Sequence, residues 1–151
     1  MDDADYDDDH RLRSTRRLAV LAWMRLARAY QKIDRASAEL FRRWDLSVAQ
    51  FDVLAQLGAD EGISQQQLAD KLLVTKGNVS QLLAKLERRG LLRREQNGRA
   101  YRLYLTPEGR AIADAAVPRQ EDAVAAKFAA LTEHEQRELL VLLRKLDQSL
   151  P

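Results

Sequence analysis

Apolar residues recur at intervals of three and four over the first third of the 151-residue chain, where neither Gly nor Pro occurs from residue 2 to 57. The spacing between Leu18 and Trp44 is that of one helical face and predicts one long helix or two abutting helices. About 30 helical residues span roughly 45 Å, which is more than a globule of this size needs across its own core. We therefore expect another surface, outside the globule, to cover this segment.

The last third of the chain repeats the helical pattern. Residues 110–130 are rich in alanine, and residues 132–150 carry five leucines on one broad face. Pro118 is predicted to kink the first of these segments, because its ring would clash with the carbonyl of Asp114. Two terminal helical segments are thus expected to frame a compact middle.

Helix starts in the middle of the chain are marked by S/T-x-x-E/Q capping boxes, each of which precedes an apolar period of 3.6. The boxes are Ser47 with Gln50, Ser64 with Gln67, and Thr132 with Glu135, and Thr75 is a fourth N-cap candidate. They predict helices at about 47–57, 64–72, 75–89 and 132–148. Only two residues separate the second helix from the third, which is the geometry of a helix-turn-helix.

After these helices the apolar period changes to strict alternation. The runs LLRREQ and RAYRLYL flank the dipeptide Asn97-Gly98, both of whose residues accept the positive φ of a type I′ hairpin turn. Leu103 and Leu105 are predicted to face the core, and their polar neighbours to face away. Thr106 then caps a new helix with Pro at its first position. A helix-turn-helix followed by a basic hairpin is a winged helix.

Charge is distributed unevenly. The net charge is +2, but six of the 23 acidic residues lie within the first nine positions, and beyond them 25 basic residues face 17 acidic ones, a net +8. Between Ser64 and Thr106 nine basic residues face three acidic ones, which predicts a negatively charged partner. The acidic leader, residues 1–10, is expected to be disordered and to aid solubility, or alternatively to compete with that partner for the basic face.

Several classes of protein are disfavoured. The chain has no Cys, its two His residues stand apart, and it has no Gly-rich phosphate loop, GxSxG or HExxH, so neither an enzyme nor a metal or other cofactor is expected. The longest apolar run, LAVLAWM, is far shorter than the roughly 20 residues that span a bilayer, and the start of the chain, MDDADYDDDH, has no basic signal region. We expect a cytoplasmic protein that does not enter a membrane.

The helix predicted at 75–89 carries a surface suited to reading DNA. Its apolar stripe is Val79, Leu82, Leu83 and Leu86. Asn and Gln can pair with adenine in the major groove and Lys can donate to guanine, whereas an ordinary solvated helix would be rich in Glu–Lys pairs. The predicted base-reading and near-base residues are Lys76, Asn78, Ser80, Gln81 and Lys85.

Flanking elements supply further expected DNA contacts. The start of the preceding helix should touch phosphates through side chains and backbone N–H groups. The wing should add electrostatic contacts. The residues predicted for these roles are Ser64, Gln65 and Gln66 from the preceding helix, and Arg93, Arg94 and Arg99 from the wing. Thr75, at the start of the next helix, is a further predicted DNA contact.

The span LLVTKGNVSQLLAKLERRGLLRRE, followed by YRLYLTPEGR, resembles the MarR family of bacterial transcription regulators, and the resemblance runs from about Leu18 to Leu146. It implies a homodimer whose terminal helices interlock. It also implies binding to double-stranded, pseudo-palindromic operator DNA through a recognition helix, matched by Thr75 to Arg89, and a wing, matched by Arg93 to Arg102. Asn97 stands where the family usually has a wing acid, so no salt bridge from that position is expected to fix Arg99.

The expected fold class is mainly α with a small β-hairpin wing. A winged helix-turn-helix core at about 46–106 would be flanked by N- and C-terminal dimerisation helices at about 11–44 and 107–150, forming a single domain over 11–151. The expected function is that of a homodimeric, sequence-specific transcriptional repressor. The alternative is a winged-helix protein-interaction module without sequence-specific DNA binding, against which the basic segment argues.

The resemblance further implies release from DNA by a small aromatic or anionic effector, bound between the DNA-binding lobe and the dimer helices. Aromatic candidates for such a pocket are Trp23, Tyr30, Trp44 and Phe51. Aromatic residues at helical spacing are more often plain core or dimer interface, and that reading stands beside the functional one.

Overall fold

The structure, a computed structural model, describes the backbone of residues 3–72 and 76–151, and the side chains of residues 14–72 and 78–151. Over these residues the chain is mainly helical, with one small antiparallel sheet, as the sequence predicts. The elements in chain order are α1 (Asp3–Phe41), a 3-10 turn (Arg42–Trp44), α2 (Val48–Ala59), β1 (Ile63–Ser64), α3 (Gln65–Leu72), α4 (Lys76–Arg88), β2 (Leu92–Asn97), β3 (Ala100–Leu105), α5 (Pro107–Phe128) and α6 (Glu133–Ser149).

The chain separates into two compact units, Met1–Ala36 and Ser37–Pro151. The division falls within α1, so the domain boundaries drawn from the sequence stay a prediction. The helical backbone of α1 begins at Asp3. The disordered acidic leader that the sequence predicts over residues 1–10 stays a prediction.

The second unit is built around one apolar core. The rings of Phe41 and Phe51 stack with centroids 4.0 Å apart. Val79, Leu83 and Leu86 of α4 are fully buried, which confirms three of the four stripe residues predicted for this helix, while the fourth is half-buried. The other buried side chains of the core include Val53, Leu54, Leu57, Leu68, Leu92 and Leu103.

The sheet has the strand order β1-β3-β2, and both pairings are antiparallel. The hairpin pairs Asn97 with Ala100, so its two turn residues are Gly98 and Arg99. Gly98 has φ +63°, and Asn97 is not among the described residues at positive φ. The predicted type I′ turn at Asn97-Gly98 is therefore wrong, because the turn lies one residue later. A glycine at the first central position is the requirement of a type II′ turn.

Helix caps agree with the sequence. Ser47 and Thr132 each form both hydrogen bonds of a capping box, and Ser64 exchanges the same two bonds with Gln67. Thr75, the fourth predicted cap, lies outside the described residues. Pro118 lies inside α5, which is helical on both sides of it. Among the helices described, none is long and apolar enough to cross a membrane.

Candidate nucleic-acid interface

Helices α3 and α4 are joined by a polar contact between two residues expected to touch DNA. The side-chain amide of Gln65, the first residue of α3, donates a hydrogen bond to the hydroxyl of Ser80 on α4. Gln66 donates to the carboxylate of Asp70 at 2.7 Å within α3. The Gln65–Ser80 bond links the start of α3 to the polar side of α4.

The outer face of α4 is polar and accessible. Asn78, Ser80, Gln81 and Lys85 are all exposed, on the side opposite the buried stripe. The backbone of Lys76 begins α4, and its side chain is outside the described set. The structure thus brings four predicted base-reading residues onto one accessible helix surface.

Near the end of α4 this surface continues into a basic depression of about 340 Å³, lined by Asp45, Gln50, Lys85, Arg88 and Arg89. Arg89 donates hydrogen bonds to the backbone carbonyls of Asp45 at 2.6 Å and Trp44 at 2.9 Å, which ties α4 to the turn before α2. Arg88 is exposed beside it. Arg88 was not among the predicted site residues, although its place on the outer face of α4 could be read from the helical period.

The wing arginines have different surroundings. Arg93 is exposed, forms an ion pair with Glu95, and lies with its guanidinium carbon 4.8 Å from the ring centroid of Tyr104. Arg94 is half-buried, with Nε 3.1 Å from a carboxylate oxygen of Glu87 on α4. Arg99 is exposed in the hairpin turn. Of the three arginines, Arg99 is the one carried farthest along the hairpin from the core.

A further arginine, which the sequence did not single out, anchors the wing. Arg102 on β3 donates to the carbonyl of Gly62 at 3.3 Å and to the side-chain oxygen of Gln67 at 3.2 Å. That oxygen also accepts the backbone N–H of Ser64, so Arg102 reinforces the cap of α3. No local sequence pattern predicts the contacts of Arg102, because β1 is only two residues long and its pairing with β3 is non-local.

The four aromatic residues proposed for an effector pocket occupy dissimilar places. In the first unit, Trp23 and Tyr30 are 66% and 65% exposed. In the second unit, Phe51 is buried in the core against Phe41, and Trp44 is half-buried with the guanidinium of Arg119 5.9 Å from its ring centroid.

A second depression lies between α2 and α5, and none of those aromatic residues lines it. Its volume is about 310 Å³, and its lining residues are Ala55, Gly58, Ala59, Ala113, Asp114, Val117 and Pro118. Among the residues that the structure describes, no group of three or more His, Asp or Glu side chains is placed to hold a metal ion.

A helix-turn-helix with an exposed polar second helix and a basic hairpin defines the class of winged-helix DNA-binding proteins. The model of the MarR family matches residues 44–102. A curated HTH-type transcriptional regulator of Bacillus cereus, itself uncharacterised, is 36% identical over 130 residues, which cover 85% of this chain and 88% of that protein. The chain belongs to the MarR family of transcriptional regulators.

Solved structures of the family share the fold. A cysteine-to-serine variant of MarR from Escherichia coli, in complex with operator DNA, superposes with a TM-score of 0.77 at 28% identity and covers 85% of this chain and 95% of its own. BpsR of Bordetella bronchiseptica, whose DNA binding is regulated by 6-hydroxynicotinic acid, gives a TM-score of 0.73 at 29% identity, with 80% and 90% covered. The predicted family and fold class are confirmed.

Proposed function

We propose that this regulator is a homodimeric repressor that binds a pseudo-palindromic operator and leaves it when a small effector binds. The observation that carries the proposal is the exposed polar face of α4, flanked by basic residues, on a scaffold that a DNA-bound relative shares. The surface is made of amides, a hydroxyl and cations, which is the chemistry that reads base edges and neutralises phosphates.

In this proposal α4 enters the major groove. Asn78, Gln81 and Lys85, with Lys76 at the first turn, supply contacts to base edges, and the small Ala84 lets the helix approach closely. Arg99 and Arg93 supply cations from the wing. Ser64, Gln65 and Gln66 are assigned to the phosphate side of the same interface. Ser80 stays in the base-reading and near-base set, and Thr75 is a DNA contact at the start of the recognition helix. Since Gln65 and Ser80 are bonded to each other, their contacts to DNA would come from a prearranged pair.

Dimerisation is supported by apolar surface on the terminal helices. In the first unit, Leu18, Leu21 and Trp23 of α1 are exposed, and in the second unit Leu142 and Leu146 of α6 are exposed. Large exposed apolar side chains on one helix support an interaction site on that helix. A two-fold dimer would present two copies of α4. The two half-sites of the operator would then lie about one helical turn of DNA, roughly 10 bp, apart.

An effector is supported by the ligand regulation of BpsR. The accessible aromatic candidates are Trp23 and Tyr30 in the first unit and, separately, Trp44 in the second, with a small aromatic or anionic compound as the ligand class. Phe51 is buried in the core against Phe41 and is assigned to packing. Trp23 and Trp44 are the only tryptophans of the chain, so binding near either should change the intrinsic fluorescence. A compound that changes this fluorescence without releasing DNA would count against the assignment.

The proposal as a whole is tested by selection from a pool of random DNA duplexes at two salt concentrations, with sequencing of the bound fraction. A palindromic site whose affinity falls steeply as salt rises is the expected result, because phosphate contacts release counterions. If no sequence is enriched and no duplex binds at either salt, the winged helix serves a protein partner instead, which is the alternative function.

A further inference from the structure

A charged pair joins the recognition helix to the wing. Nε of Arg94 lies 3.1 Å from Oε2 of Glu87, near the end of α4, close enough for an ion pair although the angle is not that of a hydrogen bond. Arg94 stands directly opposite Leu103 in the β2–β3 register, and Leu92 opposite Leu105. Because directly opposed residues share one face of a sheet, Arg94 lies on the core side of the hairpin together with these leucines. Its side chain is only 28% exposed.

We propose that Arg94 is a positioning residue, whose ion pair with Glu87 sets the wing relative to α4 so that both contact one DNA site. This inference rests on the proposed DNA-binding function and deepens it. It replaces the prediction that Arg94 itself contacts phosphates. A half-buried arginine that faces a carboxylate across an element boundary can fix an angle between elements, whereas a phosphate ligand has to reach outward.

The remainder of the wing supports this division of roles. Arg102 lies on the opposite face of the hairpin. It donates hydrogen bonds to Gly62, which precedes β1, and to Gln67 in the first turn of α3. The hairpin is therefore tied to α4 by one arginine and to α3 by another, while Arg99 is exposed in its turn. Since β1 pairs with β3 at only two residues, the outer part of the hairpin is a two-stranded ribbon, which is marginally stable without such ties.

The two roles of Arg94 predict opposite effects of neutralising Glu87. If Arg94 binds phosphate, Glu87 is an acid close to DNA that competes for the arginine, and Glu87→Gln should tighten binding. If the pair positions the wing, the same change loosens the wing and should weaken binding, although it removes a negative charge from a DNA-binding surface.

The test compares full-length wild-type protein with Glu87→Gln and with the control Glu95→Gln, all titrated against the operator duplex found by selection. Glu95 pairs with Arg93 on the outer face of the wing, so the control removes the same charge nearby without touching the tie to α4. We expect Glu87→Gln to bind about tenfold more weakly, and Glu95→Gln to bind as well as wild type or more tightly.

A second measurement separates positioning from a general loss of stability. Arg99→Ala should cost about tenfold in affinity in the wild-type background and much less in the Glu87→Gln background, because a displaced wing no longer places Arg99 on DNA. The exchanged pair Glu87→Arg with Arg94→Glu should recover the Arg99 effect. A cooperative thermal unfolding transition for each variant would establish that it is folded.

Two results would overturn the inference while leaving the proposed function intact: tighter binding by Glu87→Gln, or an Arg99→Ala loss that is the same in both backgrounds. If wild-type protein selects no sequence and binds no duplex, the proposed function fails, and the inference fails with it. The two failures are therefore distinguishable.

Discussion

Gly109 lies where the first turn of α5 passes against the chain between α4 and β2. A Cβ at this position would be 1.8 Å from the carbonyl oxygen of Leu91, and that oxygen also accepts the backbone N–H of Thr106 at 3.2 Å. The hydroxyl of Thr106 donates to the Gly90 carbonyl at 2.6 Å. Close packing at the base of the wing therefore explains two residues of the segment LTPEGR, Thr106 and Gly109.

Replacing Gly109 with Ala should destabilise the protein by about 3 kcal/mol, because backbone on both sides of the contact would have to move. Chemical denaturation would measure this loss. Gly58→Ala in α2 is the matched control: its Cβ would meet Ala113 at an ordinary 3.6 Å, and alanine favours helix by about 0.5–1 kcal/mol over glycine. Equal stability changes for the two variants would contradict the packing account.

Single residues also show which features the sequence predicts and which contacts it does not. The exposed face of α4 follows from its helical period, because Val79, Leu83 and Leu86 determine which side is buried. The partners of Arg94 and Gln65 do not follow from it. Both are polar contacts between different elements, whose packing no local sequence pattern gives, so these residues read as free DNA ligands in the sequence.

At the scale of elements, helix starts were predictable because capping is local chemistry spanning four residues. Ser47 and Thr132 each supply both bonds of the predicted box. The short strand β1 and the turn register were not predictable, since two residues carry no period and the pairing of Asn97 with Ala100 is a property of the whole sheet. The turn residues at the tip of the wing are therefore Gly98 and Arg99, one residue later than the predicted Asn97 and Gly98.

The capping box of α6 predicts a measurable titration. The backbone N–H and the hydroxyl of Thr132 donate to the Glu135 carboxylate, and these bonds lower its pKa below the ordinary 4.5. A lowered folded-state pKa contributes stability that is present above the unfolded value and is lost as pH falls through the folded one. NMR titration of the Glu135 carboxyl should give a midpoint below that of an unstructured glutamate, and an unshifted midpoint would show that the cap is not formed.

At the scale of the whole molecule, the exposed apolar residues on α6 should be buried between two copies of the chain. Leu142→Gln should raise the dimer dissociation constant by about a thousandfold, since each buried leucine contributes roughly 2 kcal/mol and a two-fold dimer loses two. Sedimentation equilibrium would measure the change. Arg144→Gln, at an exposed polar position of the same helix, is the control, and equal dissociation constants for the two variants would place the dimer interface elsewhere.

The central claim is that the outer face of α4 reads base sequence, and it is tested most directly by the affinity of Gln81→Ala for operator DNA and for a scrambled duplex. We expect the variant to lose about 1–3 kcal/mol of binding on the operator and almost nothing on the scrambled duplex, which lowers discrimination between them. Arg99→Ala, as control, should weaken both. Equal losses of Gln81→Ala on the two duplexes would contradict the assignment of α4 to sequence reading.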